Sequence, residues 1–84
     1  LARHGNRMAL EMAAAIAKAD YPFFAQPESN QIFPILPMSL IEKLSKEFGF
    51  YIWRKTDDQH AAIRLVTSWA TPESEVERFI ECIQ

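Results

Sequence analysis

The chain has 84 residues, 49% of them hydrophobic and 12% aromatic, with a formal net charge of −2. Those values describe one globular domain with a modest core and exclude a disordered chain, and they give no electrostatic reason to expect nucleic acid or an acidic membrane as partner. No apolar run approaches the roughly 20 residues of a membrane span, and the single cysteine, Cys82, excludes an internal disulfide framework and fits a reducing, cytoplasmic compartment.

Residues 1 to 19 read as a helix, with Leu1, Met8, Met12, Ala15, Ile16 and Ala19 on one stripe. Ala13-Ala14-Ala15 adds intrinsic propensity. Arg3, His4, Asn6 and Arg7 crowd the first two turns, where positive charge opposes the helix dipole. Together with a first residue that is Leu1 rather than methionine, this suggests a helix beginning upstream, in a longer polypeptide. Asp20-Tyr21-Pro22 breaks the helix, because proline disfavours a helical conformation in the residue before it.

Phe23 and Phe24 suit a short strand, Gln26-Pro27-Glu28-Ser29 a loop, and Gln31 to Leu36 a second strand. Pro34 lacks a ladder donor, which predicts an edge position or a bulge. A second helix follows, with Ser39 as N-cap and Glu42 completing a capping box. Leu40, Ile41, Leu44 and Phe48 form its stripe, Glu42–Lys46 and Lys43–Glu47 are spaced as ion pairs, and Gly49 stands where a C′ glycine would end it.

Phe50 to Arg54 reads as a strand, Lys55 to His60 as a polar turn, and Ala61 to Trp69 as the returning antiparallel strand. Thr71 is expected to cap the last helix, with Pro72 at its first position. Val76, Phe79, Ile80 and Ile83 supply an i, i+3, i+4, i+7 stripe. Helices mixed with antiparallel strands give an α+β class: a two-layer small domain, its sheet covered by helices on one face.

The stretch Ile63 to Trp69 concentrates the chemistry. Alternation puts Ile63, Leu65, Thr67 and Trp69 on a core side and Arg64, Val66 and Ser68 on the other. A guanidinium in mid-strand is costly to bury without a partner, and its planar fork suits a carboxylate. The bland role is a cross-strand ion pair with Glu28, Asp57 or Asp58. His4 and His60 stand far apart in the sequence with no cluster at metal-ligand spacing, so no metal site is expected. Cys82 has no adjacent base and reads as an idle thiol.

Arg64-Leu65-Val66-Thr67 through Thr71, followed by an amphipathic helix, resembles the end of the low-specificity L-threonine aldolases. These belong to the aldolase and β-eliminating-lyase branch of the fold-type I pyridoxal-phosphate (PLP) enzymes. Glu28-Ser29-Asn30-Gln31-Ile32-Phe33 looks like the family's Thr/Ser-Asn-x-x-Phe strand, although the family usually has a plain strand residue where Pro34 stands. The resemblance implies that residues 1–84 are a single C-terminal domain of a larger PLP-dependent lyase, cleaving a β-hydroxy amino acid to glycine and an aldehyde. It implies that Arg64 binds the substrate α-carboxylate and that Asn30 hydrogen-bonds backbone or helps hold the active-site side of the domain; the bland role for Asn30 is a structural turn. The Schiff-base lysine, the carboxylate on the pyridine nitrogen and the phosphate cup are implied to lie on a large domain upstream. Lys18, Lys43, Lys46 and Lys55 do not match the context of that lysine, so this chain alone is expected to bind PLP poorly and to be inactive. Homo-oligomerisation is implied as well. The competing reading is a stand-alone α+β interaction or ligand-sensing module in which Arg64 is an ion-pair residue.

Overall fold

The computed structural model describes residues 2–28, 30–68 and 70–84, with the side chains of Ala2 and Glu28 also outside the description. The expectations for Leu1, Ser29 and Trp69 therefore lie outside the described residues, as does a Glu28 partner for Arg64. The elements run α1 (Ala2–Lys18), β1 (Phe23–Glu28), β2 (Gln31–Pro37), α2 (Met38–Ser45), β3 (Tyr51–Lys55), β4 (His60–Val66) and α3 (Glu73–Ile83). One four-stranded antiparallel sheet in the order β1-β2-β4-β3 carries the helices on one face, the expected two-layer α+β domain.

The stripes read from the sequence form the core between these layers. Met8, Met12 and Ile16 from α1, Ile41 and Leu44 from α2, and Val76, Phe79 and Ile83 from α3 are buried against Ile32, Leu36, Ile63 and Leu65 of the sheet. Each such side chain contributes about 1.5–3 kcal/mol relative to exposure. Phe48 meets Phe79 edge to face, with ring centroids 5.5 Å apart, and closes the core beneath α2 and α3.

Several boundaries differ from the sequence reading, and each has a local cause. Helix α1 ends because Asp20 takes a left-handed conformation (φ 66°). The Tyr21 N–H bonds Ile16 O and the Asp20 N–H bonds Ala17 O, the paired bonds of a Schellman cap. Pro22 only follows. Helix α2 begins one residue before Ser39, with Pro37 as N-cap and no side-chain cap, so the Ser39–Glu42 capping box does not form. Its first N–H, from Met38, is instead bonded by Gln59 O at 2.8 Å. Helix α2 stops at Lys46 in ordinary helical conformation, and Gly49 has no positive φ, so it is not the C′ glycine. The Glu42–Lys46 and Lys43–Glu47 spacings yield no ion pair; among the described residues the pairs are Arg7–Glu73 and His60–Asp57.

Strand β1 is longer than Phe23-Phe24 and absorbs the Gln26–Glu28 stretch expected as loop. Strand β2 is an inner strand that keeps its register against β4, so the edge position expected for Pro34 is wrong, and the bulge lies in the neighbouring β1 rather than in the strand that carries the proline. The β1 register slips between Phe23 and Ala25, opposite Pro34 and Phe33. The Ile35 N–H reaches Pro22 O on the β1 side, so by alternation Pro34 turns toward β4. There the bridges stop after Ile32↔Leu65 and resume at Ile35↔Ala62, passing over the missing donor.

Helices α1 and α3 run side by side in the same direction. The Arg7 guanidinium pairs with Glu73 at the start of α3, and His4 Nε2 donates to Thr71 O at 2.6 Å. At the other end Ala15, Lys18, Ala19 and Tyr21 line a cleft with Ile83 and Gln84. Two of the basic residues at the start of α1, His4 and Arg7, are thus held by tertiary partners. Glu73 and Glu75 favour the α3 dipole in turn.

Candidate functional site

Strand β4 presents its two faces as the alternation requires. Ile63, Leu65 and Thr67 are 0%, 5% and 2% exposed, whereas Val66 is 51% exposed and Arg64 half-buried on the opposite, helix-free face. The hairpin to β3 sets Arg64 directly across from Tyr51. On its other side the β2 register sets Gln31 across from Val66, one diagonal step from Arg64. Arg64 Nε donates to Gln31 Oε1 at 3.3 Å. Among the described residues Arg64 has no carboxylate partner. Asp57 is engaged at the far end of the hairpin, where its carboxylate takes the His60 ring at 2.9 Å and the Gln59 N–H at 2.7 Å. Those bonds, the His60 one foremost, hold the Asp57 carboxyl below the usual aspartate range. The expected solvated turn is therefore exposed but self-capped.

A buried polar node fixes the end of β4. Thr67 Oγ1 donates to Gly5 O at 2.6 Å and lies 3.3 Å from Asn30 O. Asn30 Nδ2 donates to Thr67 O at 2.6 Å, and the Thr67 N–H returns to Asn30 O at 2.9 Å. Asn30 thus locks the β2–β4 register from a turn position and does not touch Arg64; Gln31, next to it, does. Gly5 lets α1 approach, since a Cβ there would lie 3.1 Å from the Ser68 backbone. Thr71 does not cap α3, whose N-cap is Pro72; its hydroxyl accepts the Ser68 N–H at 2.8 Å and tightens the turn after Thr67.

The helix-free face is strongly apolar. Trp53 packs on Phe33 with centroids 5.4 Å apart, and Tyr51, Trp53, Val66 and Phe24 are 71%, 54%, 51% and 40% exposed. The Arg54 guanidinium covers Phe24 at 5.8 Å from the ring centroid. Within this face Arg64 borders an open groove of about 450 Å³, lined also by Gly49, Phe50, Tyr51 and Val66. Here a guanidinium meets aromatic surface, an arrangement that can take a carboxylate bearing a small organic group.

Lys18, Lys43, Lys46 and Lys55 are exposed, and none lines the Arg64 groove. The residues present therefore do not fit a PLP site of their own. Cys82 is half-buried beside Glu47, whose carboxylate lies 3.5 Å from the sulfur; burial, then that neighbour, push its thiol up, away from nucleophilic form. Among the described residues no group of three or more His, Cys, Asp or Glu could hold a metal, and no helix is long and apolar enough to cross a membrane. Sequence reasoning placed Arg64 and Asn30 but assigned nothing to Gln31 or Tyr51. Only the strand register reveals them, although Gln31 stood inside the quoted strand motif.

No family model and no curated protein matches the chain. Among solved structures it is similar to Leishmania major threonine aldolase, with 36% identity and a TM-score of 0.90 over 95% of the chain. The chain spans 23% of that protein's length.

Proposed function

This chain is a threonine-aldolase-like domain, and from that premise we propose that it is the C-terminal part of a PLP-dependent lyase that cleaves a β-hydroxy amino acid to glycine and an aldehyde. Arg64 binds the substrate α-carboxylate. The observation that carries this reading is a mid-strand guanidinium with no carboxylate partner among the described residues, bordering a groove on the open face of the sheet. PLP, held elsewhere in the enzyme, supplies the electron sink for breaking the carbon–carbon bond. What this chain adds is charge and orientation at the carboxylate, with Tyr51 and Val66 as the walls beside it.

The apolar face around Arg64 is assigned to the body of the same enzyme. Tyr51, Trp53, Phe33 and Val66 form one surface with the groove, so a body that brings substrate to Arg64 also covers them. A stand-alone module would need that face for other partners. In the full-length enzyme, read here as a cytoplasmic homo-oligomer, the face lies between domains.

Replacing Arg64 with Ala tests the assignment by steady-state kinetics on the complete enzyme. Two charge-assisted bonds of about 1.5–3 kcal/mol each, taken at the lower bound because the site is half-open, predict a KM rise on the order of 100-fold. An unchanged KM would remove the role of Arg64. A complete gene product that shows no visible absorbance band with PLP, and no change on adding glycine, would remove the enzyme reading altogether.

A further inference from the structure

A guanidinium can grip a carboxylate in two ways, through Nε and one terminal nitrogen or end-on through both terminal nitrogens. In this structure Nε is already committed to Gln31 Oε1 at 3.3 Å. Gln31 begins β2, on the same open face, and its backbone position is set by the Val66 bridge and by the neighbouring Asn30–Thr67 bonds. Among the described residues the terminal nitrogens of Arg64 take no partner. An amide oxygen at this point has a property no carboxylate shares. It fixes the plane of the guanidinium without cancelling its charge.

We propose that Gln31 is the positioning residue of the Arg64 site: by occupying Nε it commits the guanidinium to an end-on grip on a carboxylate in the groove beside Gly49, Phe50, Tyr51 and Val66. The inference rests on the reading of Arg64 as a carboxylate-binding residue. Gln31 itself touches no substrate. It restricts Arg64 to one orientation before the anion arrives, so the ordering entropy of a long side chain is not lost on binding.

The chemistry orders a set of variants in the complete enzyme. Gln31→Met keeps the length and removes the acceptor, and raises KM for L-threonine about tenfold, the worth of one net hydrogen bond to a charged group, with kcat within about twofold. Gln31→Glu raises KM further, toward the Arg64→Ala value, because the new carboxylate occupies the guanidinium as an internal ion pair and competes with the substrate's own. The inhibition constant for glycine, which carries a carboxylate and little else, follows the same order. Melting temperatures measured alongside identify any variant that fails to fold, and either Gln31 variant alone still decides the matter. If Arg64→Ala raises KM while the folded Gln31 variants stay within about twofold of the parent, the positioning role is overturned and Arg64 stands. If the Gln31 variants lower kcat and melting temperature together and leave KM and the glycine constant unmoved, Gln31 is merely structural. An Arg64→Ala enzyme with unchanged KM overturns both.

Discussion

Asp20 offers a sharp test of the backbone reasoning. It is the one described non-glycine residue with positive φ, at 66°, in the C′ position of the Schellman cap that ends α1. A left-handed conformation costs an L-residue about 1–2 kcal/mol, near the low end for aspartate, whose short side chain tolerates it. Its negative charge also sits at the helix C-terminus, where it is unfavourable by about 0.3–1 kcal/mol and at the low end when exposed. Asp20→Gly relieves both effects and returns part of the gain as extra freedom in the unfolded chain. The expected net is about 1 kcal/mol of stabilisation, or roughly 4–8 °C in Tm for a domain of this size. Asp20→Asn relieves mainly the charge and should gain only about a quarter of that. Scanning calorimetry of the parent and the two variants reads the difference. A glycine variant that melts at or below the parent temperature would refute the claim that backbone conformation is strained at this position.

Thr67→Val keeps the shape of the side chain and removes the hydroxyl that Gly5 O accepts; about 1–2 kcal/mol should be lost in urea melts, since one bond and one close polar contact vanish inside the core. Gly5→Ala should destabilise by about 1 kcal/mol although alanine is the better helix former, because crowding against the Ser68 backbone outweighs propensity; a stabilised variant would show that the turn yields freely. Acid should weaken the β3–β4 hairpin through Asp57. Its folded pKa is depressed, so its contribution is present above the unfolded value near 3.8 and is lost as pH falls through the folded one. The urea midpoints of parent and Asp57→Ala should therefore differ at pH 6 and converge toward pH 2, and a constant gap across that range would contradict the His60 and Gln59 contacts.

Periodic features were legible in the sequence because they report burial directly. The stripes Met8-Met12-Ile16 and Val76-Phe79-Ile83, the β3–β4 hairpin and the two faces of β4 all follow from side-chain spacing, and the structure repeats them. Helix starts were not legible, because the partners that decide them are distant. The α2 N-terminus is set by Gln59 O, twenty-one positions downstream of Met38, and Thr71 is drawn into a turn with Ser68 rather than into a cap. Pro34 misled for a related reason: the strand that accommodates it is β1, whose bulge no local rule in β2 announces. At the candidate site, Arg64 could be singled out by its isolation among apolar neighbours. Gln31 could not, since its meaning depends on which residue of a strand thirty-three positions away lies diagonally opposite.

The partnership of α1 with the turn from Thr67 to Glu73 bears on how the chain is made. Arg7, His4 and Gly5 reach partners sixty-two to sixty-seven positions later. Within this domain α1 is synthesised before the other described elements and must wait for nearly all of them before Met8, Met12 and Ile16 can be covered. Closing so long a loop is slow, and an amphipathic helix left open meanwhile can bind other surfaces. The Thr67–Gly5 bond is then among the last contacts to form, and it is the one that holds α1 against the end of the strand bearing Arg64.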